Sequence, residues 1–137
     1  MSNSEYAVSQ LIYYILLLCF FCMDLKTLEA ALKKSWGKDT CYPPMRKDWS
    51  EKNPAYGQCH CTVLVVNDFF KGKILKYKFK DGTGHYSNLI DGTEVDFTRC
   101  QFDETEVFPE PEIIERKDTK DSMEYFLLKK RVDRLLS

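Results

Sequence analysis

Residues 54–62 read PAYGQCHCT, and this stretch decides how the rest of the chain is interpreted. A Gly-Gln turn signal stands immediately before Cys59, and an apolar segment runs from there to Phe70. Periodicity cannot separate a buried strand from a buried helix in so apolar a segment. Its valines favour a strand, whereas its length and the glycine two residues beyond it favour a helix. We predict a buried helix that begins at Cys59.

An antiparallel meander is predicted to follow this helix. The strands are expected at residues 73–80, 85–90 and 93–98. The first alternates apolar and lysine side chains, and Asp91-Gly92 before the third is a strong signal for a two-residue hairpin turn. One helix begins after Asp24 and another closes the chain over residues 119–136, beyond an acidic surface connection at residues 103–118. The predicted fold class is α+β, with the buried helix packed on a three-stranded meander.

Composition places the chain among folded globular proteins. Its 137 residues are enough to bury a core, and 14% of them are aromatic. The formal net charge is -1, which provides no long-range field to attract nucleic acid or an acidic membrane. The six cysteines are not spaced like a disulfide framework, so we expect a reducing, cytoplasmic setting. We expect no nucleic-acid partner and no cofactor.

The N-terminal segment differs from the rest of the chain. Residues 6–23 carry no charge, and from residue 11 they are unbroken apolar sequence. A spanning helix needs roughly 20 apolar residues, so this run is borderline for an anchor. We interpret residues 1–22 as an apolar leader before a single α+β domain at 23–137, with Met23 as the favoured translation start. A membrane anchor that leaves the domain in the cytoplasm and a buried helix are the two alternatives.

Three side chains could share chemistry: Cys59, His85 and Asp96. A helix N-terminus offers unpaired N–H groups and partial positive charge, and both stabilise a thiolate. With a two-residue turn at residues 91–92, His85 and Asp96 become diagonal neighbours on one sheet face. We therefore predict that Cys59 is a nucleophile, that His85 is its general base, and that Asp96 orients the imidazole.

Gln58 and Asn88 are two further candidate catalytic residues. Gln58 either donates to an oxyanion or only fixes the turn before Cys59, and the sequence does not separate these roles. Asn88 is out of phase with His85, so the hairpin register turns it to the opposite face and makes it the weaker third member. The face that carries His85 is the less apolar one, and it is expected to be partly exposed to solvent.

Zinc binding is the competing chemistry. Cys59, His60 and Cys61, with Cys41 or Cys100, would supply enough soft ligands for one zinc ion. The Cys-x-Cys spacing is not the usual two-residue knuckle, however, and the chain has only two histidines. We therefore assign no metal to the predicted site.

Three segments of the chain resemble the YunG-like family of small bacterial proteins. They are residues 49–59, 67–75 and 85–99, which include a Gly-Gln-Cys motif and an Asp-Gly-x-Glu-Val-Asp-x-Thr motif. The resemblance covers about residues 24–136, and it supports both the helix at Cys59 and a start at Met23. The order of cysteine, histidine and aspartate is also similar to that of thiol enzymes with a papain-like or transglutaminase-like core. The family carries no assigned activity, so the resemblance implies a fold more than a reaction.

Two classes of function remain open. The first is a cysteine-dependent hydrolase or acyltransferase that acts on an amide or thioester in a peptide or small molecule. The second is a non-catalytic binding module with the same core, in which the aromatic loop of residues 36–56 holds a partner. The sequence does not name the substrate, and a membrane is a partner only if residues 6–23 are an anchor.

Overall fold

The computed structural model describes residues 2–21 and 23–137. Its α-helices are α1 (Asn3–Phe21), α2 (Leu25–Ser35), α3 (Cys59–Phe70) and α4 (Met123–Leu136). Its strands are β1 (Lys73–Lys78), β2 (Gly84–Ile90), β3 (Thr93–Val95) and β4 (Glu112–Ile114). Short 3-10 helices cover Lys38–Thr40, Pro43–Asp48, Arg99–Gln101 and Arg116–Asp118. The predicted α+β class is confirmed.

Helix α3 forms the centre of the core and begins at Cys59, as predicted. Every residue from 61 to 67 is buried, because the helix is apolar around most of its circumference. Lys71 and Gly72 follow with positive φ angles, and the Lys71 N–H donates to the Asn67 carbonyl, which ends the helix. One side of α3 packs on the sheet, and α4 packs against both α3 and α2.

The hairpin between β2 and β3 has the predicted register. Asp91 and Gly92 both have positive φ, at 49° and 79°, which is the backbone that a type I′ turn requires. Ile90 therefore pairs with Thr93. The strand order is β3-β2-β1-β4, and all the pairings are antiparallel.

The predicted three-stranded meander is present as β1, β2 and β3, and the sheet has in addition a fourth strand, β4, which pairs with β1. Ile114 of β4 lies opposite Ile74, and both side chains are buried. A three-residue strand is too short to show alternation, and the prolines around it indicated a surface connection.

Four boundaries also differ from the prediction. β1 ends at Lys78, β2 begins at Gly84 and β3 ends at Val95. Helix α4 begins at Met123, with Ser122 as its N-cap.

The two faces of the sheet are covered by different parts of the chain. Helix α3 covers the face that carries Ile74 and Asn88. The opposite face, which carries His85, lies beneath the rings of Phe102 and Phe108, whose centroids are 4.9 Å and 5.4 Å from the imidazole centroid. The expectation that this face is partly wet was wrong at His85, which is fully buried. Phe102, at the end of the preceding 3-10 helix, and Phe108, in the acidic connection, cover His85, and strand periodicity does not reveal either ring.

The N-terminal segment forms helix α1, and nearly all the described side chains of its first half are exposed. These include Tyr6, Val8, Leu11, Ile12, Tyr13 and Tyr14. A buried helix is therefore wrong for residues 6–14. Among the helices of the described residues, none combines the length and the apolarity needed to cross a membrane. The translation start at Met23 stays a prediction, and the Cys22 position before it lies outside the described residues.

Candidate active site

The packing of α3 along β2 places Cys59 beside His85. The His60 and Tyr86 rings meet edge to face at 5.2 Å, and the Asn88 side chain donates to the Val63 carbonyl at 2.9 Å. The helix and the strand therefore run side by side in the same direction. The first residue of α3 consequently lies at the start of β2, where its sulfur is close enough to influence the charge of the His85 ring.

Asp96 holds the other side of this imidazole. Its Oδ2 atom is 2.7 Å from His85 Nε2, so the Nε2–H group donates to the carboxylate. The Oδ1 atom accepts from the Thr98 backbone N–H at 3.2 Å and from the Thr98 hydroxyl at 3.3 Å. The carboxylate is thus fixed at both oxygens. The His85 proton is held on Nε2, and Nδ1 is left to interact with the thiol.

Charge at the site favours the imidazolium form of His85. Burial lowers the pKa of this ring, but the hydrogen bond to Asp96 and the nearby Cys59 sulfur more than offset burial and raise the pKa of His85 to about 9. A protonated ring next to a sulfur stabilises a thiolate. Cys59, His85 and Asp96 therefore lie together at the start of α3.

This raised pKa predicts a pH dependence of stability. Because the pKa of His85 is about 9 in the folded chain and about 6.5 for a free histidine, its contribution is fully present below about pH 6.5. It is lost as the pH rises through about 9, and it amounts to at most about 3 kcal/mol. Urea unfolding of the wild type and of His85→Gln should therefore give curves of stability against pH that converge toward alkaline pH. Parallel curves would contradict the assignment, because the buried thiols titrate equally in both proteins.

Gln101 belongs to this cluster, although the sequence did not suggest it. Its Oε1 atom accepts from the Gly57 backbone N–H at 3.2 Å, and its Nε2 atom is 3.3 Å from His85 Nδ1. The residue lies in the 3-10 helix Arg99–Gln101, which follows β3. No spacing rule brings such a turn to the start of α3. The only feature of the sequence that could have pointed to Gln101 is that it is an amide residue shortly after Asp96.

The structure places Gln58 and Asn88 in structural hydrogen bonds. The Gln58 Oε1 atom accepts from the Thr40 hydroxyl at 2.7 Å, and its Nε2 group donates to the Gly37 carbonyl at 2.9 Å. Gln58 is fully buried, and this geometry favours the turn-fixing role over the oxyanion role. Asn88 lies on the α3 face of the sheet, away from His85, as the register implied. Its catalytic role stays a prediction that no contact with His85 supports.

The cysteines near the site do not assemble a metal centre. Burial raises the pKa of both the Cys41 and the Cys61 thiol, so both stay protonated. Burial also lowers the pKa of His60, whose Nε2 atom is 2.8 Å from the Thr119 hydroxyl. Across residues 2–21 and 23–137, no group of three potential ligand side chains comes together. The zinc alternative thus has no ligand cluster in this part of the chain.

The aromatic loop of residues 36–56 packs largely onto the body of the protein. The Trp36 indole donates to the Thr62 hydroxyl of α3 at 2.9 Å, and its side chain is buried. The Trp49 indole donates to the Pro54 carbonyl at 3.1 Å. Tyr42, in contrast, is 56% exposed. The loop therefore supports the turn that carries Cys59, and it presents one aromatic side chain to solvent.

The fold and the site define an α+β protein with a Cys–His–Asp cluster at a helix N-terminus, and sequence comparison gives its family. A family profile described as YunG protein matches residues 24–137, so the chain belongs to this family. A relative from Bacillus subtilis (strain 168), described as "Uncharacterized protein YunG", is 39% identical over 78 residues. That match covers 57% of this chain and only 63% of the relative. No solved structure gives a significant match. The papain-like or transglutaminase-like core stays a prediction.

Proposed function

We propose that this protein is a cysteine-dependent hydrolase or acyltransferase that acts on an amide or a thioester. One observation carries the proposal: Cys59 begins a helix next to a buried imidazole, and the far nitrogen of that imidazole is 2.7 Å from a fixed carboxylate. Each neighbour of the sulfur stabilises negative charge on it. A buried cysteine with a purely structural role would need none of these neighbours.

The reaction that this geometry supports begins with transfer of the Cys59 proton to His85 Nδ1. The sulfur then attacks the carbonyl carbon, and a new C–S bond forms as the carbonyl π electrons move to oxygen. The C–N or C–S bond of the substrate breaks, and the leaving group takes the proton from His85. Water, or an acceptor nucleophile, then gives its proton to His85 and releases the acyl group from Cys59. Asp96 keeps the ring oriented through both halves of the reaction.

The substrate must approach from the side of Cys59. This residue is half-buried, whereas His85 is fully buried under Phe102 and Phe108. An approach over the imidazole would require both rings to move. An extended chain or small thioester that passes over the start of α3 reaches the sulfur without such a movement. The unpaired N–H groups of the first helical turn lie there to stabilise the developing oxyanion.

Alkylation by iodoacetamide at graded pH tests the proposal. We expect Cys59 to react well below pH 8, because the imidazolium holds its sulfur as a thiolate. Cys100 is an exposed free cysteine in the same chain, so it provides an internal reference for an ordinary thiol. Peptide mapping by mass spectrometry would give the rate at each position separately. Equal pH dependence at Cys59 and Cys100 would refute the proposal.

A non-catalytic binding module is the second candidate function. The complete burial of His85 beneath two phenylalanine rings favours it, since this burial also suits a purely structural ion pair. In that case Cys59 would react like Cys100, and exposed Tyr42 would be the first residue to test for partner binding. Screening of wild-type and Cys59→Ser protein against peptide, isopeptide and thioester substrates then separates the two functions. Turnover that requires Cys59 identifies the enzyme.

A further inference from the structure

We infer that Gln101 is a positioning residue that couples the turn before Cys59 to the imidazole of His85. The inference rests on the proposed function and extends it. The Gln101 amide contacts both the turn before Cys59 and the His85 ring. Its oxygen accepts from the Gly57 N–H at 3.2 Å, and its nitrogen is 3.3 Å from His85 Nδ1. No other side chain among the residues described here is assigned hydrogen bonds to both the turn and the ring.

The orientation of this amide follows from its partners. A backbone N–H can only donate, so the Gln101 atom that faces Gly57 is the oxygen, and the NH₂ group must face the ring. When the His85 ring is neutral, its Nδ1 atom therefore accepts from this NH₂ group, and the ring proton is on Nε2, whose N–H donates to the Asp96 carboxylate at 2.7 Å. Gln101 and Asp96 thus select the same tautomer from opposite sides of the imidazole.

The same geometry gives Gln101 a role during proton transfer. When Nδ1 takes the Cys59 proton, it can no longer accept from the Gln101 NH₂ group. That N–H group then needs a new acceptor, and negative charge develops at this step on the Cys59 sulfur and then on the oxygen of the carbonyl group that the sulfur attacks. The amide is consequently released toward the reacting atoms at the step in which charge appears there. Its oxygen still holds Gly57, two residues before the nucleophile.

Two substitutions distinguish the role of the Gln101 amide oxygen from that of its nitrogen. Gln101→Met has a similar length and removes both the donor and the acceptor. Gln101→Glu keeps an oxygen for the Gly57 N–H, and its second oxygen can accept from a protonated Nδ1. Gln101 is only half-buried, so both variants are expected to fold, and thermal unfolding would verify this. Three readouts are measured for each: exchange of the Gly57 amide, the NMR titration of His85, and the alkylation rate of Cys59 at neutral pH.

In Gln101→Met, we expect Gly57 amide exchange to accelerate by about tenfold, the scale of one lost hydrogen bond. Alkylation of Cys59 should slow by a similar factor. In Gln101→Glu, exchange and alkylation should stay near the wild-type values, and the His85 titration should move upward because a carboxylate stabilises the imidazolium. A Gln101→Met protein with wild-type exchange at Gly57 and wild-type titration at His85 would overturn the inference.

Failure of the proposed function gives a different result. If wild-type Cys59 reacts no faster than Cys100, the enzyme is refuted, but Gly57 exchange and His85 titration still decide whether Gln101 couples the turn to the ring. If Cys59 is activated and Gln101→Met changes none of the three readouts, only the coupling is refuted. Equal losses in Gln101→Met and Gln101→Glu would also refute it, because the retained oxygen would then have no effect.

Discussion

Replacement of His85 by glutamine is expected to lower the rate at which iodoacetamide alkylates Cys59 by about 100-fold at about pH 6.5. Without the imidazolium, a cysteine has a pKa of about 8.5 and is about 1% thiolate at that pH. The glutamine amide can still donate to Asp96, so the change removes the proton exchange and keeps the hydrogen bond to the carboxylate. Rates at several pH values, measured by mass spectrometry, would check the result.

Two comparisons make this experiment decisive. Cys100 should react at the same rate in wild type and variant, which corrects for reagent and for concentration of folded protein. Asp96→Asn should give a smaller loss, because the ring remains but its imidazolium form is less stabilised. If His85→Gln alkylates Cys59 within about threefold of the wild-type rate while it remains folded, the thiol is not activated by this histidine.

The second large effect is expected from Gly57→Ala. Gly57 has a φ of +71°, and an added Cβ would lie 2.4 Å from the Cys41 sulfur. The left-handed backbone and the overlap together should cost about 3 kcal/mol, and the melting temperature should fall by roughly 10 °C. Because Gly57 lies two residues before Cys59, alkylation of Cys59 should slow as well.

Gly82→Ala is the matched control for this substitution. Gly82 has a similar φ of +89°, but an added Cβ would meet no atom within 4 Å, so only the backbone cost of about 1 kcal/mol is expected. Cys41→Ala in the Gly57→Ala background should relieve the overlap, and the two changes should be non-additive by at least about 1 kcal/mol. Equal destabilisation of Gly57→Ala and Gly82→Ala would show that Cys41 does not crowd this turn.

The parts of the site that follow local rules could be predicted from the sequence. Asp91-Gly92 specifies a two-residue turn, and that turn sets the register of β2 and β3. Asp96 follows directly after the last residue of β3, and its Oδ2 atom lies 2.7 Å from His85 Nε2. The start of α3 at Cys59 follows from the length of its apolar segment. Each of these steps needs only neighbours along the chain or across one hairpin.

The parts that depend on long-range packing could not be predicted. Phe108 reaches His85 from a connection whose acidic composition indicated a solvated surface, and Gln101 and Phe102 reach it from the turn just before that connection. β4 is too short for its pairing with β1 to be visible as a pattern. Gln58 looked like a catalytic amide, yet its partners are Thr40 and Gly37 in an earlier loop. In every case the decisive contact is made by a residue that no sequence period relates to the site.

His85 and Asn88 face opposite sides of strand β2, so the register of this strand determines the surroundings of both side chains. Asn88 donates to a carbonyl in the middle of α3, whereas His85 meets Asp96 on the other side of the same strand. A slip of β2 by one residue would exchange these environments, because side chains alternate along a strand. The His85 imidazole would then face helix α3, and the Asn88 amide would be buried against Phe102 and Phe108 without its hydrogen-bond partner. A chain with the wrong register would therefore lose favourable contacts on both faces of the strand, so correct pairing of the hairpin and assembly of the His85–Asp96 pair depend on the same register.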